Sequence, residues 1–128
     1  MGQLSRAVAI VDDDAAVRHA LKFALESEGL NVRVHGRAPA LLDDPELYRY
    51  GCLVIDYRMP DVDGLELVDA LRRRGVSAPI IMITGRANAG MRERAGRAGI
   101  DTILEKPLSD SALSTAIHSA LAAPPAAP

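Results

Sequence analysis

The chain has 128 residues, 17 acidic and 15 basic side chains, a formal net charge of −2 and 48% hydrophobic residues. That length suits one domain, able to bury roughly two-thirds of its unfolded surface without covalent staples. The slightly negative charge argues against nucleic-acid binding as the main business of this chain; the single cysteine, Cys52, excludes an intramolecular disulfide, and no stretch approaches the roughly 20 apolar residues of a membrane span. No signal-peptide pattern is evident, so a cytoplasmic location is expected.

Residues 7–11, Ala-Val-Ala-Ile-Val, read as a buried strand, and it ends in three acids, Asp12, Asp13 and Asp14. From Ala15 to Glu28 the positions Val17, Ala20, Leu21, Ala24 and Leu25 follow a helical period, closed by Gly29. Asn31 to His35 alternates as a half-exposed edge strand, and residues 38–49 read as a less regular helix with Leu41, Leu42 and Leu47 inward. Cys52-Leu53-Val54-Ile55 is a second apolar run ending in an acid, Asp56, with Cys52 read as a small buried hydrophobe. A turn-rich loop with Pro60, Asp61, Asp63 and Gly64 leads to a helix marked by Leu65, Val68 and Leu71. Pro79 to Ile83 is a third buried strand, ending at Thr84-Gly85; residues 88–98 form a weak helix with Gly90 and Gly96 inside it. Thr102-Ile103-Leu104 is a short last strand before Glu105-Lys106-Pro107, and Ser109 caps a helix with Leu113 and Ile117 on its apolar face.

Five strand–helix units with three strands apolar throughout predict an α/β fold, a flavodoxin-like (βα)5 doubly wound parallel sheet in strand order 2-1-3-4-5. Such sheets bind ligands beyond the carboxyl ends of their strands. Asp12, Asp13, Asp56, Thr84 and Lys106 all sit at strand exits, so residues far apart in sequence converge on one crevice. Three acids there repel one another unless a cation relieves them. Oxygen-rich crevices suit Mg²⁺, a carboxylate is a competent nucleophile toward phosphorus, and Lys106 and Thr84 can neutralise and hydrogen-bond a phosphoryl group. Asp14 is best read as the cap of the first helix. Only two lysines occur, Lys22 and Lys106, which makes the one at a strand exit notable.

The segments Ile10-Val11-Asp12-Asp13-Asp14, Val54 to Asp61 with Gly64, Met82-Ile83-Thr84-Gly85 and Glu105-Lys106-Pro107 together resemble the receiver domains of two-component response regulators, in the FixJ-like branch. The resemblance covers residues 7 to about 122. It implies a signalling phosphoacceptor rather than an enzyme acting on other molecules. Asp56 would take a phosphoryl group from a sensor histidine kinase. Asp13 and Asp56 would ligate Mg²⁺ (or Mn²⁺) directly, Asp12 through water, and the backbone carbonyl of Arg58 would be a further ligand. Thr84 and Lys106 would contact the phosphoryl group, and Lys106-Pro107 would be a cis peptide. Family members carry Tyr or Phe three residues before the lysine, a residue that rotates inward as the threonine moves. Here that position is Ile103, which predicts a muted or altered switch on the helix 4–strand 5–helix 5 face, a surface through which a homodimer can also form. The kinase is expected to dock on Ala15, Ala16 and His19 and on Pro107 and Leu108.

Residues 1–122 are read as the receiver domain and 123–128 as an Ala/Pro-rich tail or the start of an interdomain linker. The linker reading is favoured and implies a C-terminal DNA-binding output domain in a longer parent protein, whereas this chain itself is expected to bind neither nucleic acid nor membrane. Two other classes fit less well. In an aspartyl-phosphate phosphatase Asp12-x-Asp14 would hold the nucleophile, but Asp56 would then lack a role. A flavin-binding module needs a phosphate cradle after strand 1, where three acids would repel it. A degenerate receiver that signals without phosphorylation is disfavoured by the intact set of site residues, though Ile103 is compatible with it.

Overall fold

The computed structural model describes residues 7–60, 62–109 and 111–122; the expected tail, 123–128, lies outside the described residues, as does Asp61. Five strands form one sheet, β1 (Ala7–Val11), β2 (Asn31–His35), β3 (Cys52–Asp56), β4 (Ile80–Thr84) and β5 (Thr102–Glu105). Their order is β2-β1-β3-β4-β5 and every neighbouring pair is parallel, the doubly wound flavodoxin-like arrangement expected from the sequence. The registers Val11↔Ile55, Asp56↔Ile83 and Thr84↔Glu105 bring the carboxyl ends of the strands to one edge.

Side chains alternate between two cores. Ala7, Ala9, Val11, Leu53, Ile55, Ile80 and Met82 face the helices α2 (Ala38–Leu42), α3 (Gly64–Arg73) and α4 (Ala89–Arg97). Val8, Ile10, Cys52, Val54, Ile81 and Ile83 face α1 (Ala15–Glu26) and α5 (Ala112–Ala122). Burial on both sheet faces is why β1, β3 and β4 are apolar without alternation. Cys52 behaves as a buried hydrophobe, its thiol pushed up to about 12 by burial and the nearby Asp101 charge.

Local signals fix the helix ends. The Asp14 carboxylate caps α1 by accepting from the Ala16 and Val17 N–H groups at 2.9 and 3.3 Å. Asp63 and Glu66 form a reciprocal capping box at α3. Gly29 and Gly75 follow α1 and α3 with φ of 86° and 85°, a conformation that other residues adopt at a cost.

Two expectations change. The helix read over 38–49 is split into α2 and a 3₁₀ turn, Leu47–Arg49. Pro45 denies that helix an N–H and restricts the residue before it, and the Asp44 carboxylate instead accepts from the Glu46 N–H at 2.8 Å. On α1 only Leu25 is buried, with Val17 and Leu21 half-buried; Ala20 and Ala24 are exposed, so the inward stripe is narrower than the periodicity implies.

The same break creates a polar cluster at the end of β2. Asp44 Oδ2 accepts from the Tyr50 hydroxyl and lies 3.0 Å from His35 Nε2, while among the described residues His35 Nδ1 is buried without a partner. Burial pushes the Asp44 carboxyl up, but hydrogen bonds from Tyr50, the Glu46 N–H and His35 outweigh it, and the net shift is downward. Asp44 therefore contributes stability above its unfolded value, and that contribution is lost as pH falls through the lowered folded value. Tyr50→Phe removes one of these bonds and is expected to cost about 1–2 kcal/mol in urea unfolding at pH 7. The loss should shrink in acid; a deficit that grew with acidification would contradict the assignment.

Candidate functional site

Each strand exit contributes one part of the crevice. Asp12, at the end of β1, is 2% exposed; its Oδ1 accepts from the Asp14 N–H at 2.9 Å, and its carbonyl accepts from Arg18 Nη1 at 2.7 Å. Its N–H donates to the His35 carbonyl, which extends the β1–β2 ladder by one residue. Asp13 is exposed beside it. Asp56, the last residue of β3, is 5% exposed. Asp12, Asp13 and Asp56 each offer a carboxylate oxygen within 4.8 Å of the others.

Lys106 Nζ lies 3.5 Å from Asp56 Oδ1, and the Lys106–Pro107 peptide is cis. Thr84 is buried at the end of β4, its hydroxyl donating to the Arg86 carbonyl at 3.2 Å rather than to Asp56. Arg58 is exposed in the β3–α3 loop, and Ile103 is half-buried in β5 opposite Met82. Ala15, Ala16, His19 and Pro107 are exposed and Leu108 half-buried.

Electrostatically the crevice is under strain without a cation. Burial holds the Asp56 carboxyl above the usual range, the Asp12 charge adds to this, and Lys106 opposes it. Three oxygens this close, two of them on buried carboxylates, form a hard donor set that fits one small divalent cation. A helical glycine frames the crevice from behind. A Cβ on Gly64 would lie 2.9 Å from Tyr57 Cα and 3.0 Å from the Asp56 carbonyl, so the start of α3 packs directly on the β3 exit. Sequence reading assigned Gly64 to a motif but had no signal for this contact, because it exists only once α3 crosses β3.

The sequence matches the response regulator receiver domain family over residues 8–118, and the chain belongs to that family. It is similar to the transcriptional regulatory protein FixJ of Azorhizobium caulinodans, 41% identical over 114 residues that cover 89% of this chain and 54% of that protein. It is also similar to the transcriptional regulatory protein TdiR of Thauera aromatica, 39% identical over 115 residues, 90% of this chain and 51% of that protein. The crystal structure of FixJ-N superposes with a TM-score of 0.82 at 37% identity, covering 94% of this chain and 97% of that one. The chain spans about half the length of these curated relatives. Among the described residues no helix is long and apolar enough to cross a membrane.

Proposed function

We propose that this receiver domain accepts a phosphoryl group on Asp56 from a phosphohistidine of a sensor kinase. The observation that carries the reading is the placement of Lys106 Nζ 3.5 Å from Asp56 Oδ1 on the edge where Asp12, Asp13 and Asp56 meet. The Asp56 oxygen attacks phosphorus, the phosphorus–nitrogen bond breaks, and the imidazole leaves with its electron pair. Held by Asp13, Asp56 and the Arg58 carbonyl, and by Asp12 through water, Mg²⁺ (or Mn²⁺, equally content with oxygen ligands) would supply charge neutralisation to the incoming phosphoryl group. Lys106 faces the developing negative charge as a point cation, and Thr84 turns its hydroxyl from Arg86 toward a phosphoryl oxygen. The chain thus catalyses only its own phosphorylation and dephosphorylation.

Ala15, Ala16, His19 and Pro107, all exposed, and the half-buried Leu108 follow the β1 and β5 exits in sequence and would form the kinase's docking surface. The α4–β5–α5 face would carry the signal, to a second copy or to a C-terminal output domain that binds DNA, in the cytoplasm. Ile103 supports a second reading of that output: its aliphatic side chain offers neither the swing nor the hydroxyl of an aromatic switch, so the response across this face is weaker. Incubation with a small phosphodonor and Mg²⁺ is expected to add about 80 Da, one PO₃H unit, to the intact protein. No gain with Mg²⁺ present, or the same gain with a chelator in its place, would refute the proposal.

A further inference from the structure

The β4–α4 loop is tied down from two sides. The Thr84 hydroxyl donates to the Arg86 carbonyl at 3.2 Å and accepts from the Arg86 N–H at 3.3 Å. From the neighbouring strand, Glu105 Oε2 accepts from the Ala87 N–H at 2.8 Å. The register sets Glu105 opposite Thr84, and the Lys106 N–H donates to the Thr84 carbonyl at 2.8 Å. One residue beyond Ala87, the Asn88 side chain caps α4 by accepting from the Met91 N–H at 2.8 Å. Glu105 therefore links two things: the backbone that carries the cation facing Asp56, and the loop that leads into α4.

The Thr84 hydroxyl has a single proton. Once it donates to a phosphoryl oxygen on Asp56 it can no longer donate to Arg86, and the bond from Ala87 to Glu105 then opposes any movement of the loop with Thr84. We propose that Glu105 is a positioning residue: it holds Gly85–Ala87 in the resting arrangement and sets how readily that loop follows Thr84. The tie does in β5 a coupling job that the aliphatic Ile103 is poorly shaped for. The inference rests on the reading of Asp56 as phosphoacceptor. A contact that favours the resting state lowers the fraction of protein ready to bind a phosphoryl group, and the apparent affinity falls in proportion.

The test is a titration of the full chain with beryllium fluoride and Mg²⁺, a phosphoryl mimic, followed by the backbone amide signals of Gly85 and Ala87. Glu105→Ala is expected to bind about 3- to 10-fold more tightly than the parent, the effect of losing one charge-assisted hydrogen bond at an exposed site. Its mimic-free Gly85 and Ala87 signals should already lie part of the way toward their bound positions. Glu105→Gln keeps a carbonyl acceptor and should stay within about twofold of the parent. Unchanged or weaker binding by Glu105→Ala, or a Gln variant that behaves like Ala, overturns the inference while leaving the Asp56 reading in place. A parent that fails to respond, like Asp56→Asn, overturns both.

Discussion

Asp56→Asn is expected to abolish phosphoryl uptake and, without a divalent cation, to make the protein more stable. The first effect follows from chemistry, since a neutral amide is not a competent nucleophile toward phosphorus. The second follows from the crevice. Asp56 is 5% exposed, its carboxyl is raised by burial and by Asp12, and Lys106, 41% exposed at its side chain, only partly offsets this. An upward shift means that ionisation costs stability above the ordinary value, a cost relieved as pH falls through the raised value. Deleting the charge should yield about 1 kcal/mol at pH 7, or about 4 °C in thermal midpoint. Mg²⁺ should reverse the ranking. At a hundred times its dissociation constant it would stabilise the parent by about 2.7 kcal/mol, and the Asn variant, short of one carboxylate, by less. Melting curves in chelator and in Mg²⁺ check this; a parent and variant that melt together in both would contradict it.

Gly64→Ala is the second large effect, and it acts through the backbone of Asp56 and Tyr57 rather than on a reacting side chain. The new methyl group would meet the Tyr57 backbone at 2.9 Å and the Asp56 carbonyl at 3.0 Å, neither of which can swing aside as Met82 Cε can. The Gly64 N–H also donates to the Tyr57 carbonyl at 2.7 Å, which fixes the approach. The junction must open, at a cost of about 1–3 kcal/mol. Because Asp56 forms one wall of the contact, its carboxylate moves too, and a misplacement of about 1 Å can slow transfer about 10²-fold. Gly85→Ala is the control, with nothing within 4 Å of its added carbon, and should lose little stability. Denaturant midpoints together with rates of phosphoryl uptake measure both; a Gly64→Ala protein that matched the parent would show the contact to be loose.

Much of this was legible in the chain itself, for a physical reason. A parallel strand covered on both faces must be apolar along its length, and the first polar residue after it marks the carboxyl edge. Val11-Asp12, Ile55-Asp56 and Ile83-Thr84 each display that change, so sheet order alone was enough to gather the crevice. The Asp14 cap was equally local. What the sequence concealed depends on contacts between distant segments. Pro45 sits in an apolar pattern that suggests one helix, and the turn it forces brings Asp44 to His35 and Tyr50, residues with no common period. Ala20 and Ala24 have apolar side chains but stand outside the stripe that the sheet edge covers. Glu105 looks like a solvated acid until the register lays it opposite Thr84.

The central claim, that Asp56 and not an acid of the β1 exit is the nucleophile, is tested most directly by locating the modification. The phosphorylated protein is digested and its peptides weighed. The added mass of about 80 Da, one PO₃H unit, is predicted on the peptide that contains Asp56, and lost from it in Asp56→Asn. The same mass on the peptide that contains Asp12 and Asp13 would contradict the account and point to phosphatase-like chemistry at the β1 exit.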